Sequence, residues 1–141
     1  MEIINLLDFT DRIELRDWLE ANHNQAKSCW VITSRSKQPT YECIPYIEVV
    51  EEALCFGWID STIKKLPDGR LAQRLSPRRK RSHWTKLNKE RCMNLEDRGL
   101  MTDAGRQAFE RAYSYEIVPK DSLMEKIIKK HNMELRPDLY K

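Results

Sequence analysis

The sequence lacks any apolar run long enough to cross a membrane. A spanning helix needs about 20 consecutive, mostly apolar residues, whereas 33% of this 141-residue chain is charged. The N-terminus also lacks the basic segment, apolar segment and small-residue cleavage site of a secretory signal. With 40% apolar residues the composition suits a soluble globular protein, and we expect it in the cytoplasm.

Glycine-rich loops and closely spaced cysteines are also missing. The chain has only four glycines, and none belongs to a glycine-rich phosphate loop. Its four cysteines lie far apart, which predicts buried free thiols rather than a zinc site or a redox pair. Cys55 and His83 are a conceivable catalytic dyad, but a buried thiol and a solvated histidine explain them more simply. We therefore expect no catalytic residue, metal or cofactor, and keep an unrecognised enzyme as the third alternative.

Basic charge is concentrated in one segment of the chain. Between Lys64 and Arg91 there are eleven lysines and arginines but only two acidic residues, a net charge of +9, whereas the whole chain carries +3. The rest of the chain is therefore acidic. Local charge of this kind binds anions or steers partners.

Hydrophobic periodicity and turn residues predict the order of helices and strands. The first half contains a short edge strand within 2–9, a helix capped by Thr10 or Asp11 that ends at His23, an inner strand over 28–34, and a helix from Pro45 to a left-handed Gly57. The second half contains a β-hairpin over about 58–76, a helix from a Ser82 cap to about Arg98, a helix from a Thr102 cap to about Tyr115, and a last helix over about 121–131. In the Pro45 helix, Glu48, Glu51 and Glu52 are expected on the solvent side.

The hairpin register follows from its apolar residues. A three-residue loop, with Gly69 left-handed, pairs Lys65 with Leu71. It places Ile59, Ile63, Leu71 and Leu75 on one face. The opposite, polar face then holds Asp60, Thr62, Lys64, Ala72, Arg74 and Ser76, with the Asp60 carboxylate beside Arg74.

These elements predict an α+β fold in a single domain spanning 1–141, with its core over about 8–115. A small, mostly antiparallel sheet is covered by four or five helices. The residues expected to be buried together are Trp18, Trp30, Leu54, Phe56, Ile59, Ile63, Leu75, Trp84 and Leu87.

Four sequence blocks occur in a fixed order. They are Leu15-Arg16-x-Trp18-Leu19 with Asn22-His23, YIEVVEEALCFGWIDS over 46–61, RLSPRRKRSHWTKLNKER over 74–91, and Gly99-Leu100-Met101-Thr102-x-Ala104-Gly105. Over roughly 8–115 the chain thus resembles the YdeI/OmpD-associated family of bacteria, also labelled bacteriocin-protection proteins, although that family usually has proline at position 103. The resemblance implies an α+β domain and a link to bacterial resistance against antimicrobial peptides and bacteriocins, and to an outer-membrane porin. It implies no reaction or cofactor.

The residues that we select as a candidate site for an anionic small molecule or protein partner are Asp60, Arg74, Arg78, Arg79, Ser82, Trp84 and Asn88. Arginine side chains and the free amides at the start of the Ser82 helix suit phosphate or carboxylate. The structural alternative is that Asp60 pairs with Arg74, Ser82 only caps its helix and Trp84 is core. A nucleic-acid-binding module is the functional alternative, although it calls for exposed aromatic rings. The basic residues could also attract the protein to an anionic membrane surface, but no exposed apolar anchors are evident around 78–81.

Overall fold

A computed structural model describes residues 2–79 and 84–115, the last four without their side chains. The elements are β1 (Leu6–Leu7), α1 (Arg12–Asn22), β2 (Cys29–Ser34), β3 (Ile44–Pro45), α2 (Tyr46–Cys55), β4 (Trp58–Lys65), β5 (Leu71–Pro77), α3 (Lys86–Asp97) and α4 (Asp103–Tyr115). This arrangement is the predicted α+β fold, with β1 as a short edge strand. The predicted helix over 121–131, together with Ser82 and His83, lies outside the described residues. No helix in the described part of the chain is long and apolar enough to cross a membrane.

The sheet is built around β2. Its strand order is β1-β2-β5-β4, and β3 pairs with the same edge of β2 as β1. The β2–β5 and β4–β5 pairs are antiparallel and long, whereas the parallel pairs of β2 with β1 and β3 involve two residues each. Five of the six residues of β2 are buried, which confirms the inner strand predicted from its apolar residues on both faces.

The two faces of the sheet are packed differently. All four helices contribute to one large core, which also holds Cys29, Val31 and Leu75 from the sheet. On the opposite face Trp30, Ile32 and Ala72 form a smaller cluster with Ile3, Tyr41, Cys43 and Leu66. The prediction that Trp30 joins Leu54, Phe56, Leu75 and Trp84 in one core is therefore wrong, because successive side chains of a strand point to opposite faces.

The hairpin register is right near the turn and wrong at the other end. Lys65 pairs with Leu71, and Gly69 has a φ of 91°, as predicted. A β-bulge between Asp60 and Ile63 then shifts the pairing, so that Asp60 lies opposite Leu75 and Ile59 opposite Ser76. The bulge moves Asp60 to the helix-covered face and Ile59 away from it.

Gln73 holds the bulge in place. Its side chain is fully buried, and its Nε2 donates hydrogen bonds to the carbonyls of Thr62 (3.3 Å) and Arg74 (3.2 Å). Thr62 lies within the bulge, where the regular pairing is interrupted, so the Gln73 amide supplies the donor that its carbonyl needs.

The helix ends fit their predicted caps in three cases and differ in one. Asp11 caps α1, Gly57 follows α2 with a φ of 75°, and Thr102 caps α4. Helix α3, however, begins at Lys86 with Thr85 as its cap rather than at Ser82. Trp84 therefore precedes the helix.

Two residues that were expected in the core lie at the surface. Because α3 starts later than predicted, Leu87 falls in its first turn, where 53% of it is exposed. Ile63 is 38% exposed on β4, an edge strand that has a neighbouring strand on one side only.

Glu52 corrects a prediction as well, because it is buried rather than on the solvent side. One carboxylate oxygen accepts from Arg12 Nε at 2.9 Å and the other from Arg16 Nη1 at 3.0 Å. Arg16 also donates to the Leu100 carbonyl at 2.7 Å. A buried carboxylate is stable only when paired, and these two arginines of α1 provide the pairs that join α1 to α2.

Candidate functional site

Asp60 lies at the centre of a polar cluster on the helix-covered face of the sheet. The bulge turns its carboxylate toward the start of α2, where the hydroxyl of Tyr46 donates a 2.7 Å hydrogen bond to Oδ2. Burial raises the pKa of Tyr46, and the hydrogen bond and charge of Asp60 act in the same direction. The positive charges of Arg35 and Arg91 act in the opposite direction, which places both arginines near this pair.

Arg78 follows β5 and is held by a buried aromatic ring. Its backbone amide donates to the Gly57 carbonyl at 3.0 Å, and its guanidinium carbon lies 3.9 Å from the centroid of the Trp84 ring. Only 8% of Arg78 is exposed. Desolvation lowers the pKa of Arg78, whereas the charge of Asp60 opposes this shift. The guanidinium is therefore a buried positive charge near the Asp60 carboxylate.

Helix α3 adds Asn88 and Arg91. Arg91 Nη1 donates to Asn88 Oδ1 at 3.1 Å, and both side chains are partly exposed. Arg91 also acts on the pKa of Tyr46, and Asn88 lies in the first turn of α3.

Arg35 completes the set from the loop after β2. Its guanidinium carbon lies 4.1 Å from the centroid of the Tyr46 ring, and the residue is exposed. We call the seven residues Arg35, Tyr46, Asp60, Arg78, Trp84, Asn88 and Arg91 the Asp60 cluster. It contains three arginines and one carboxylate, a net charge of +2, and its Asn88 lies in the first turn of α3. Such an arrangement favours an anion.

The structure brings together four of the seven residues selected from the sequence. Asp60, Arg78, Trp84 and Asn88 belong to the cluster. Arg74 lies on the opposite face of the sheet, where its Nη1 is 3.5 Å from Ser61 Oγ, so the Asp60–Arg74 pair of the structural alternative does not form. Arg79 is exposed next to Arg78, and Ser82 lies outside the described residues.

Sequence reasoning missed Tyr46, Arg35 and Arg91 as site residues. Tyr46 occupied an apolar position of a predicted amphipathic helix, and Arg91 lay on a stripe that was assigned to packing. A usable signal was the position of Tyr46 directly after Pro45, which places a polar hydroxyl in the first turn of a helix.

The cysteines do not support thiol chemistry. All four are free, and burial raises the pKa of Cys29, Cys55 and Cys92 to about 12. The nucleophilic thiolate is therefore scarce at neutral pH. Within residues 2–79 and 84–115 there is no group of three or more His, Cys, Asp or Glu that could hold a metal ion.

Residues 7–108 match the family described as "Domain of unknown function (DUF8412)", a segment that runs from β1 into α4 and includes the whole Asp60 cluster. No curated protein and no solved structure matches the chain. The chain therefore belongs to the DUF8412 family of domains of unknown function.

Proposed function

We propose that this domain binds an anionic ligand, or the anionic group of a larger partner, at the Asp60 cluster. The observation that carries the proposal is that three arginines lie around one hydrogen bond: Arg35 and Arg91 lie near Tyr46, and Arg78 lies near its partner Asp60. A phosphate or carboxylate group would offset the excess positive charge and accept hydrogen bonds from guanidinium groups, which suit planar, bidentate recognition.

The burial of Arg78 supports this proposal. Moving a guanidinium out of water is costly unless nearby negative charge compensates, and the pKa of Arg78 is lowered by that desolvation. Asp60, which also accepts a hydrogen bond from Tyr46, supplies one such charge. An anion bound beside Arg78 would supply a second.

The biological role that we propose follows from the family resemblance given above. In this role the domain is a bacterial stress-resistance protein that protects against antimicrobial peptides or bacteriocins. Survival of bacteria that express the wild type or an Arg35→Gln/Arg91→Gln variant, measured after exposure to a cationic antimicrobial peptide, tests the role. Equal survival of both strains would contradict it.

Nucleic acid is a weaker candidate for the ligand. Single-strand binding uses exposed aromatic rings on which bases stack. Trp84 is only 2% exposed, since Arg78 covers its ring and Phe109 packs edge-on with ring centroids 5.3 Å apart. Arg35 lies against the ring of Tyr46. The aromatic rings of the cluster thus pack against arginine side chains and do not form an open platform on which bases could stack.

The test of anion binding is thermal unfolding in different salts. An anion that binds only the folded state raises the melting temperature, so phosphate should raise it more than chloride at equal ionic strength. Arg35→Gln combined with Arg91→Gln should reduce this difference to nearly zero.

The matched control is Arg70→Gln. Arg70 lies at the hairpin turn and already pairs with Asp8 (3.0 Å) and Asp68 (2.8 Å). This variant should therefore keep the full difference between phosphate and chloride. The proposed site would be refuted if the wild type melted at the same temperature in both salts. It would also be refuted if Arg70→Gln reduced the difference between phosphate and chloride as much as the double variant does.

A further inference from the structure

Large apolar side chains are exposed on the elements that carry the Asp60 cluster. They are Leu87 (53% exposed), Ile47 (44%) and Ile63 (38%). Leu87 lies one helical turn before Arg91 and therefore on the same face of α3 as that residue of the cluster. Ile47 directly follows Tyr46, and Ile63 pairs with Gln73 on the same sheet face as Asp60. Exposed apolar groups beside a charged site point to an interaction surface.

Basic residues are interspersed with these apolar ones. Arg35, Arg79 and Lys86 are exposed, and Lys86 is the neighbour of Leu87. Five basic residues of this region that are at least partly exposed (Arg35, Arg79, Lys86, Lys89 and Arg91) outnumber its three acidic ones (Glu48, Asp60 and Glu90). The surface is therefore both positive and partly apolar.

We propose that this surface docks on a membrane that contains anionic lipids. The inference rests on the proposed function, because the Asp60 cluster would take the phosphate of a lipid headgroup while Leu87 and Ile47 reach the apolar boundary beneath the headgroups. Basic side chains are attracted to an anionic leaflet, and apolar side chains gain by leaving water at the same interface.

The exposure of the apolar residues favours a membrane over a small ligand in a pocket. Leu87, Ile47 and Ile63 project into solvent, and none of them lines the groove of about 570 Å³ that the structure forms between Thr10 and residues 39–43. Projecting apolar side chains on a positive surface match a planar anionic interface, whereas a pocket ligand would be enclosed.

The test is co-sedimentation of the full chain with lipid vesicles. The protein should sediment with vesicles of phosphatidylcholine and phosphatidylglycerol, and should stay in solution with vesicles of phosphatidylcholine alone. Lys86→Gln should weaken the partition to anionic vesicles about fivefold, the effect of one basic residue at such a surface. Leu87→Ser should weaken it by a similar factor through lost apolar burial.

The matched control is Ile13→Ser. Ile13 is 62% exposed on α1, outside this surface, so its replacement should leave the partition unchanged. Equal sedimentation with both kinds of vesicle, or equal losses for Leu87→Ser and Ile13→Ser, would overturn the membrane inference.

Soluble glycerol phosphate separates this inference from the proposed function. If glycerol phosphate raises the melting temperature but anionic vesicles do not bind, the anion site stands and the membrane inference fails. If vesicles bind through Leu87 but neither phosphate nor glycerol phosphate stabilises the protein, the anion site at the Asp60 cluster is refuted and the inference that rests on it fails as well.

Discussion

The hydroxyl of Tyr46 donates a 2.7 Å hydrogen bond to Asp60, 14 positions further along the chain. The bond joins the first residue of a helix to an edge strand, and it depends on a β-bulge that turns Asp60 toward the helices. Without the bulge, Asp60 would lie on the other face of the sheet beside Arg74. A local irregularity of one strand thus decides which arginines share a site with this carboxylate.

Asp60→Asn should strengthen anion binding. The amide keeps an oxygen that can accept from Tyr46, but it removes the negative charge and changes the net charge of the Asp60 cluster from +2 to +3. Phosphate should therefore raise the melting temperature of this variant more than that of the wild type, although its stability in chloride should fall because Arg78 loses a favourable charge. Melting temperatures in phosphate and chloride at equal ionic strength provide the measurement.

Asp68→Asn is the control for this change of charge. Asp68 pairs with Arg70 at the hairpin turn (2.8 Å), so its replacement alters the net charge of the protein equally but not that of the cluster. Its response to phosphate should match the wild type. A smaller phosphate effect in Asp60→Asn than in the wild type would mean that the carboxylate helps to bind the ligand rather than competing with it.

Glu52→Gln should destabilise the domain by about 2–3 kcal/mol. Breaking a buried ion pair typically costs about 3–5 kcal/mol, and the estimate is lower here because the side chains of Arg12 and Arg16 are 22% and 29% exposed and can be partly solvated. Chemical denaturation measures the change in the free energy of unfolding. Glu48→Gln, on the more exposed side of the same helix, should change it by less than about 0.5 kcal/mol, and equal effects of both variants would contradict the role of Glu52.

The hairpin shows which part of the fold can be predicted from sequence. Its turn and the Lys65–Leu71 pair follow from Pro67-Asp68-Gly69 and from the spacing of Ile63, Leu71 and Leu75, all of which lie close together in sequence. The bulge carries no such signal, because neither glycine nor proline occurs between Asp60 and Ile63. Its stabilising contact comes from Gln73 on the neighbouring strand.

The site residues also fall into those that the sequence identifies and those that it does not. Arg78, Trp84 and Asn88 could be selected because they follow the hairpin closely in sequence and have suitable chemistry. Tyr46 and Arg35 join them only through the packing of α2 and of the loop after β2, which one sequence does not reveal. Glu52 was misplaced because a charged residue is assigned to solvent by default. Its spacing of three from Val49 and four to Phe56 nevertheless puts it on the buried stripe of α2.

Gly105→Ala should destabilise the domain by about 1–3 kcal/mol, the typical cost of overpacking. Alanine is favoured over glycine within a helix by about 1 kcal/mol, so propensity alone predicts stabilisation. A Cβ at Gly105, however, would lie 2.4 Å from the Cys55 carbonyl oxygen and 2.8 Å from that of Leu54. Both are backbone atoms, and Thr102 also bonds to the Cys55 carbonyl through its amide at 3.2 Å. The clash should therefore outweigh propensity.

Gln107→Ala tests the same helix without the clash. Gln107 is exposed, so this variant should leave the free energy of unfolding within about 0.5 kcal/mol of the wild type. A Gly105→Ala protein as stable as the wild type in chemical denaturation would show that α4 can move away from the end of α2 at little cost.

The three buried thiols should make the domain less stable in alkali. Burial raises the pKa of Cys29, Cys55 and Cys92 from 9.0 to about 12. Below about pH 9 the thiol is protonated in both the folded and the unfolded chain, so the raised pKa does not change the free energy of unfolding there. Between about pH 9 and 12 only the unfolded chain loses the proton, and the free energy of unfolding falls by up to about 1.4 kcal/mol per pH unit for each thiol.

Cys29→Ala should therefore make the dependence on alkaline pH less steep. The measurement is the slope of the free energy of unfolding against pH, obtained by urea denaturation for the variant and for the wild type. Tyrosines and lysines contribute equally to both slopes, so the difference between the slopes reports the Cys29 thiol. Cys43→Ala is the matched control, since Cys43 is only partly buried and its pKa is raised less. Identical slopes for Cys29→Ala and the wild type would mean that the Cys29 thiol ionises as readily in the folded chain as in the unfolded one.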